Sequence, residues 1–285
     1  MHSIARPFLF CRGAVGVVLV LAGCASPPQS PSPGVLSQAR IADILASPDR
    51  SAADRNNDLR RKPDQLLAFI GVRPGMVALD LSAGGGYTTE LLARATGPGG
   101  RVYGQSAPRN ADARPPAAPE GGAVPAPAAP TAAAPVRLSS PQALAQRAKN
   151  PALAHIVPVV QKFEAPVPAE LAAGGLNLVT LMFNYHDLGH LGVNRSLMNQ
   201  ALFAALKPGG SYVVADHAGR PGTGISESGT LHRIEEAYLR QEIEAAGFKL
   251  VAEGQFLRNP ADPRDKNTPE PPQPKDDFVL KFVRP

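Results

Sequence analysis

The sequence has few cysteines, no long hydrophobic span and no concentration of basic charge. Its 285 residues contain two cysteines, and lysine plus arginine exceed aspartate plus glutamate by 5. The basic residues do not cluster with aromatics, so nothing favours nucleic-acid binding. An apolar run at 13–24 (GAVGVVLVLAGC) is shorter than the about 20 residues that a transmembrane helix needs. The chain must therefore be stabilised by the core of a globular domain.

The N-terminal segment is typical of an export signal. Arg6 and Arg12 precede the apolar run, which ends in LAGC and resembles the lipobox of bacterial lipoproteins, where the cysteine is lipidated. We therefore expect a signal peptide over 1–23 and a lipid anchor at Cys24. An ordinary secretory signal or an apolar N-terminal helix is the alternative. Ala25 follows the cysteine, which predicts a lipid-anchored protein of the cell envelope, on the periplasmic face of the outer membrane.

The mature chain is predicted to form one domain and to lack disulfides. Cys11 would leave with the signal, so no thiol pair remains. The segment 24–34 is rich in Pro and Ser, which predicts a tether between the lipid anchor and the domain. The domain would cover 35–285 as a monomer. Within it, 106–135 contains 12 Ala and 8 Pro without periodicity, which predicts a disordered insertion.

Apolar runs alternate with helical periodicities from residue 76 onward, the pattern of a parallel sheet covered by helices. Before it, the segment VLSQARIADILAS has helical spacing, and two short helices are expected after that segment, ending near Gly71. Strands are predicted over 76–81, 101–105, 155–161, 176–183, 211–216, 248–256 and 277–283. Helices are predicted over 86–95, 140–149, 192–206 and 232–246, with Gly247 at a left-handed C-terminus.

The stretch LDLSAGGGYTTELL places a glycine loop between the first strand and a helix. Asp80 ends the strand, and Gly84 and Gly86 follow. Glycines let the backbone approach a ligand, and the helix N-terminus offers N–H groups to a carboxylate or phosphate. A dinucleotide fingerprint would need a third glycine at the position of Thr89, so that fingerprint is incomplete. A P-loop lysine is also absent.

Four stretches together resemble class I S-adenosylmethionine-dependent methyltransferases, and more narrowly a bacterial group of predicted methyltransferases. They are RPGMVALDLSAGGGYTTELLA, FNYHDL, LKPGGSYVVADHAG and LHRIEEAYLRQEIEAAGFKLV. The resemblance implies a doubly wound, Rossmann-like α/β fold with seven strands in the order 3-2-1-4-5-7-6, after N-terminal helices. It implies S-adenosylmethionine as the cofactor, with binding residues Asp80, Ser82, Gly84, Gly85, Gly86, Tyr87, Gln105 and Asn184. Gln105 stands where the family usually has an acidic residue for the ribose.

Polar residues follow the fourth and fifth predicted strands, in NYHDLGH and ADH. The candidates for catalysis are His186, Asp187, Asp216 and His217. His186 is the first choice for a base because the ordinary histidine pKa lies near 6.5, and Asp187 or Asp216 would orient it. The alternative is that His186 and Asp187 cap the following loop.

Two further features leave alternatives open. His190 raises the possibility of a metal site in the same cluster, but no ligand spacing is complete, and no metal is predicted. His232 is read as an N-terminal helix residue with Thr230 as the cap. The run DRNNDLRR is read as a solvated face or as a lid over the cofactor.

The function predicted from these features is methyl transfer from S-adenosylmethionine to an unidentified, small-molecule acceptor. The first alternative is a membrane-anchored lipoprotein that binds a ligand without turnover, because export separates the chain from the cytoplasmic supply of the cofactor. The second is an envelope protein that uses the fold as a scaffold. No partner beyond the substrate and the membrane is predicted.

Overall fold

A computed structural model describes residues 1–2, 34–108 and 138–285. Apart from the first two residues, these belong to one compact unit, Pro33–Pro285. The predicted signal, Cys24 and nearly all of the tether lie outside the described residues, as do positions 109–137. The second strand extends through Ser106. The predicted insertion boundary at 106 is therefore wrong, because that residue is paired in the sheet.

The elements alternate as the sequence predicts, with boundaries that differ by a few residues. The helices are α1 Gln38–Ala46, α2 Ala52–Arg61, α3 Pro63–Ile70, α4 Tyr87–Thr96, α5 Ser140–Arg147, α6 Asp187–His190, α7 Arg195–Ala205 and α8 Glu236–Ala245. The strands are β1 Val77–Leu81, β2 Arg101–Ser106, β3 Ile156–Val160, β4 Leu176–Met182, β5 Leu206–His217, β6 Lys249–Gly254 and β7 Asp277–Val283. In the part of the chain that the structure describes, no helix has the length and apolarity needed to cross a bilayer.

The seven strands form one sheet in the order β3-β2-β1-β4-β5-β7-β6, which confirms the predicted fold. The first five strands of that order pair in parallel, whereas β7 is antiparallel to both β5 and β6. The order reverses at β1, between β2 and β4. In open α/β sheets, ligands bind outside the carboxyl ends of the strands at such a switch point.

Hydrophobic cores form on both faces of the sheet because successive side chains of a buried strand point in opposite directions. In β1, Leu79 belongs to one core with α7 and α8, and Ala78 to the other with α1, α3 and α4. Both residues are fully buried. The strands that carry the glycine loop and the polar cluster are thus fixed from two sides.

Three local predictions can be compared with the structure. Gly247 has a φ of 104°, the left-handed conformation expected after a helix. The predicted start of the last helix at His232 is wrong, because α8 begins at Glu236 with Glu235 in the N-cap position. The Thr230 hydroxyl instead donates to the carbonyl of Glu227. His232 lies before the helix and has a φ of 51°, in the left-handed region.

Candidate functional site

The glycine loop at the carboxyl end of β1 is built from left-handed backbone conformations. Ser82, Gly84 and Gly86 have φ values of 56°, 54° and 83°. A Cβ atom on Gly86 would come within 2.8 Å of Leu144 and 2.9 Å of Arg147, so a larger residue would have to displace these side chains of α5. Gly85, in contrast, faces open space. The loop is therefore closed on the side of α5 and open on the other.

The open side of the loop presents unused hydrogen-bond donors. Within the described residues, the N–H groups of Gly84 and Gly85 donate to no protein acceptor. The loop leads directly into α4, and the first N–H groups of a helix have no acceptor within the helix. Successive N–H groups at a turn and a helix N-terminus form a binding site for a carboxylate or phosphate.

Asp80 lies below the loop and is held by two threonines. It is 2% exposed, and it accepts hydrogen bonds from the hydroxyls of Thr89 at 2.6 Å and Thr180 at 2.8 Å. Burial raises the pKa of Asp80 to about 6, although both hydrogen bonds oppose the rise. Thr89, noticed in the sequence only as a missing glycine, is a structural partner of the carboxylate. The signal available was the pairing of a buried acid with a hydroxyl nine residues later.

Gln105 is fully buried and connects three segments of the site. Its amide oxygen accepts from the backbone N–H of Ser82 at 3.0 Å, and its amide nitrogen donates to the carbonyl of Gln161 at 2.6 Å. The same residue was predicted to contact a ribose. Both ends of its side chain are occupied by the loops after β1 and β3, so Gln105 fixes the position of Ser82.

The polar cluster at the ends of β4 and β5 is organised around His186. Its Nδ1 lies 2.6 Å from Asp216 Oδ1, and its Nε2 lies 3.1 Å from Asp187 Oδ1. Burial alone would lower the pKa of His186, but the two carboxylates raise it to about 10. The ring is 2% exposed, and its side chain does not cap α6. In the free protein His186 is thus a protonated bridge between two carboxylates at neutral pH, which disfavours the role of a base.

Asp187 joins the cluster to the glycine loop. Burial would raise its pKa, but the contacts with His186 and His232 lower it to about 2. Its Oδ2 accepts from the Asn184 amide at 2.8 Å, and the oxygen of that amide accepts from the Ser82 hydroxyl at 2.6 Å. Two hydrogen bonds therefore connect the loop after β1 to the loop after β4. Four predicted site residues are brought together in this way.

His232 is a member of the cluster that sequence reasoning missed. Its Nδ1 lies 2.9 Å from Asp187 Oδ1, and its ring contacts those of His186 and His190 edge-on, with centroids 5.7 Å apart in each pair. LHRIEE was interpreted as the start of a helix, so the position of His232 in the cluster was not predicted. A histidine immediately before a helix in an α/β fold is the only signal that was available.

His217 lies on the other side of His186 and contacts Asp277 of β7. The His217 Nδ1 to Asp277 Oδ1 distance is 2.6 Å, and the two histidine rings lie 5.4 Å apart. Burial raises the pKa of Asp277 to about 7, with the nearby Asp216 adding to the rise and the Arg61 charge opposing it. The Arg61 guanidinium lies 3.7 Å from the centre of the Phe183 ring. Helix α2 therefore brings positive charge toward this group of carboxylates.

Helix α2, which contains DRNNDLRR, is attached to the glycine loop by side chains on both of its ends. Asp58 accepts from the Tyr87 hydroxyl at 2.8 Å, and Asp54 forms a bidentate ion pair with Arg147 at 2.7 and 3.0 Å. Arg147 also contacts Glu90 and donates to the carbonyl of Gly85 at 2.7 Å. The charged run is therefore packed against the loop, which favours the lid over the solvated face.

One cavity lies elsewhere, near the amino-terminal ends of β1 and β5. It has a volume of about 200 Å³ and is lined by Met76, Lys207 and Lys281 among others. Ligands of open α/β sheets bind at the carboxyl ends of the strands, where the glycine loop and the polar cluster lie. We therefore place the candidate site there.

The sequence matches no protein-family model and no curated protein. Solved structures do resemble it. An S-adenosylmethionine-dependent methyltransferase from Aquifex aeolicus aligns over 88% of this chain and all of its own, with 14% identity and a TM-score of 0.53. An arsenic(III) S-adenosylmethionine methyltransferase from Chlamydomonas reinhardtii aligns over 85% of this chain and 72% of its own, with 14% identity and a TM-score of 0.51.

The chain has the class I methyltransferase fold. A third structure with this fold, the [4+2]-cyclase SpnF, aligns over 82% of both chains with 14% identity and a TM-score of 0.50. Identities this low establish architecture, and the same architecture carries a cyclase as well as methyltransferases. The reaction of this chain must therefore be argued from its own site residues.

Proposed function

We propose that the chain is an S-adenosylmethionine-dependent methyltransferase that acts on a small-molecule acceptor. The observation that carries this proposal is the pair of hydrogen bonds from Ser82 through Asn184 to Asp187. It joins a glycine loop with free N–H groups to a polar cluster at the next strand end. The glycine loop suits the amino-acid portion of the cofactor, and the polar cluster suits a polar acceptor.

The loop residues fit the methionine portion of S-adenosylmethionine. The free N–H groups of Gly84 and Gly85 would donate to its carboxylate, and nothing within 4 Å fills the space above Gly85. Asp80 and Gln105 would act indirectly, by holding the loop in this shape. When bound, the cofactor supplies an electrophilic methyl group on a sulfonium.

The polar cluster would position the acceptor. Methyl transfer is an in-line displacement that depends mainly on the placement of the two reactants. His186 and Asp216 are almost fully buried, whereas the side chains of Asp187 and His232 are 24% and 30% exposed. The exposed pair would contact the acceptor, and the buried pair would hold it in place.

Binding of S-adenosylmethionine tests the proposal, with two matched glycine variants. Gly84→Val places a side chain in the loop at a φ of 54°, and Gly75→Val does the same at a φ of 79° in the turn before β1, at the other end of the sheet. Both have open surroundings. The backbone strain is therefore similar, about 1–2 kcal/mol in each.

Calorimetry should show binding to the wild type and to Gly75→Val, and none to Gly84→Val. Equal affinity in all three proteins would contradict the assignment of the loop. A wild-type chain that does not bind at millimolar concentration would refute the enzyme proposal.

Binding without turnover is the second candidate function. It is favoured by Gln105, whose amide is occupied by backbone partners where a ribose-binding acid would be expected. Transfer of a radioactive methyl group to small thiols, amines and phenols separates the two candidates. The membrane anchor at Cys24 and a location in the cell envelope remain part of both proposals.

A further inference from the structure

Three potential metal ligands converge at the carboxyl end of β4. The side chains of His186, Asp187 and His232 each bring one ligand atom to within 4.8 Å of the other two. Asp187 Oδ1 lies 3.1 Å from His186 Nε2 and 2.9 Å from His232 Nδ1. Ligand atoms of a tetrahedral ion with bonds of about 2.1 Å are about 3.4 Å apart, so small side-chain movements would suffice.

We propose that His186, Asp187 and His232 bind a divalent transition-metal ion of the zinc or iron(II) class. Two imidazoles with one carboxylate are a ligand set that suits these ions rather than calcium or magnesium. The ligands come from two loops, and Asp187 and His232 are 45 residues apart in the sequence. A motif of closely spaced ligands therefore does not occur in the sequence, and the site becomes visible only in the fold. This inference concerns the polar cluster and holds whether or not the chain transfers methyl groups.

The groups around the three ligands hold each of them in an orientation that suits metal binding. Asp216, with no exposed surface, contacts His186 Nδ1 at 2.6 Å, so Nε2 is the nitrogen turned toward Asp187. Metal-bound histidines commonly bond a carboxylate through their other nitrogen in this way. Asn184 holds the second oxygen of Asp187 at 2.8 Å. His232 has a φ of 51°, an unfavourable conformation for a non-glycine residue that serves to direct its ring into the cluster.

The site leaves room for a further ligand. The described residues supply three ligand atoms, while Asp187 and His232 keep 24% and 30% of their side-chain surface exposed. Three protein ligands and an open position are typical of catalytic rather than structural metal sites. His190 is an additional imidazole near the site, with its Nδ1 at 3.9 Å from Asp187 Oδ1, but that nitrogen also contacts the Ser228 hydroxyl. The open position would accept water or an oxygen, nitrogen or sulfur atom of a substrate.

Zinc binding to the purified full-length chain tests the proposal. After equilibrium dialysis against micromolar Zn²⁺, elemental analysis should find one ion per chain in the wild type. His232→Gln and Asp187→Asn should lose it. Asp216→Asn, which removes the carboxylate that holds His186 from outside the ligand set, should weaken binding about 10–100-fold. His155→Gln is the matched control, because His155 contacts the carbonyl of Ala93, far from the cluster, and should bind zinc as the wild type does.

Folding is checked by urea denaturation, in which zinc should raise the midpoint of the wild type and of His155→Gln but not that of His232→Gln. His232 is partly exposed, so its substitution leaves the core intact. Zinc retained equally by His232→Gln and the wild type, or not retained by the wild type, overturns the proposal. Gly84→Val should still bind zinc, and metal-free His232→Gln should still bind S-adenosylmethionine, so failure of one proposal is distinguishable from failure of the other.

Discussion

The Asp80→Asn substitution would remove a buried negative charge from below the glycine loop while keeping the shape of the side chain. Burial raises the pKa of Asp80 from its ordinary value of 3.8 to about 6, against the opposing hydrogen bonds of Thr89 and Thr180. A difference of this size between the folded and unfolded states corresponds to about 3 kcal/mol. At neutral pH, burial of the charged Asp80 should lower the free energy of unfolding of the wild type by this amount, and the variant should lack this effect.

The sign of the pH dependence follows from where the proton is held. Between about pH 4 and about pH 6, folded Asp80 retains a proton that the unfolded chain has released. A rise in pH through this window therefore lowers the free energy of unfolding. The contribution of Asp80 is complete below about pH 4 and lost above about pH 6. Other carboxylates with lowered pKa values act in the opposite direction, so the comparison must be made against the variant.

Urea denaturation at about pH 4 and about pH 7 measures the effect. The free energy of unfolding of the wild type minus that of Asp80→Asn should fall by about 3 kcal/mol between the two conditions. Asp43→Asn, at an exposed position of α1, is the control for loss of a carboxylate and should show little change. A difference that is the same at both pH values, or that increases with pH, would refute the reasoning about Asp80.

Two further predictions concern the attachment of α2 and of the whole chain. Arg147→Ala should lower the free energy of unfolding by about 3 kcal/mol, because it leaves the nearly buried carboxylate of Asp54 without its bidentate partner, whereas Glu90 keeps its ion pair with Arg94. Arg240→Ala, which breaks an exposed pair with Glu244, should cost less than about 1 kcal/mol in the same urea titration. Cys24→Ser should move the protein from the membrane fraction to the soluble fraction on cell fractionation, and unchanged fractionation would contradict the lipid anchor.

The sheet could be predicted from the sequence because its signals are local. Each strand is a short apolar run, and glycine or proline marks the connections, as in the segment LKPGG. The structure adds this segment to β5, which begins at Leu206 rather than at residue 211. The order of the strands came from the resemblance to a family, since local patterns specify strands but not their neighbours.

The candidate site was predicted in its components and not in its pairings. Asp80 was recognised from its place at the end of the first strand, Asn184 from the resemblance to a family, and Asp187 because it follows the fourth strand. Arg147 and Asp54 are 93 residues apart, and nothing near either residue indicates the other. His186 was taken as a base because one carboxylate was considered at a time, whereas the fold places it between two. The charge of a buried histidine such as His186 is determined by partners that distant segments contribute.

The hydrogen-bonded connection from Ser82 to Asp187 has a thermodynamic consequence. Ser82 belongs to the proposed cofactor loop, and Asp187 belongs to the proposed metal site, so Asn184 would be shared between the two proposed sites. If a ligand at one end displaces Asn184, the affinity at the other end changes by some factor. The reverse influence must then have the same factor, because binding free energies around a closed cycle sum to zero. A single amide would thereby couple the ligand affinity of one site to the occupancy of the other.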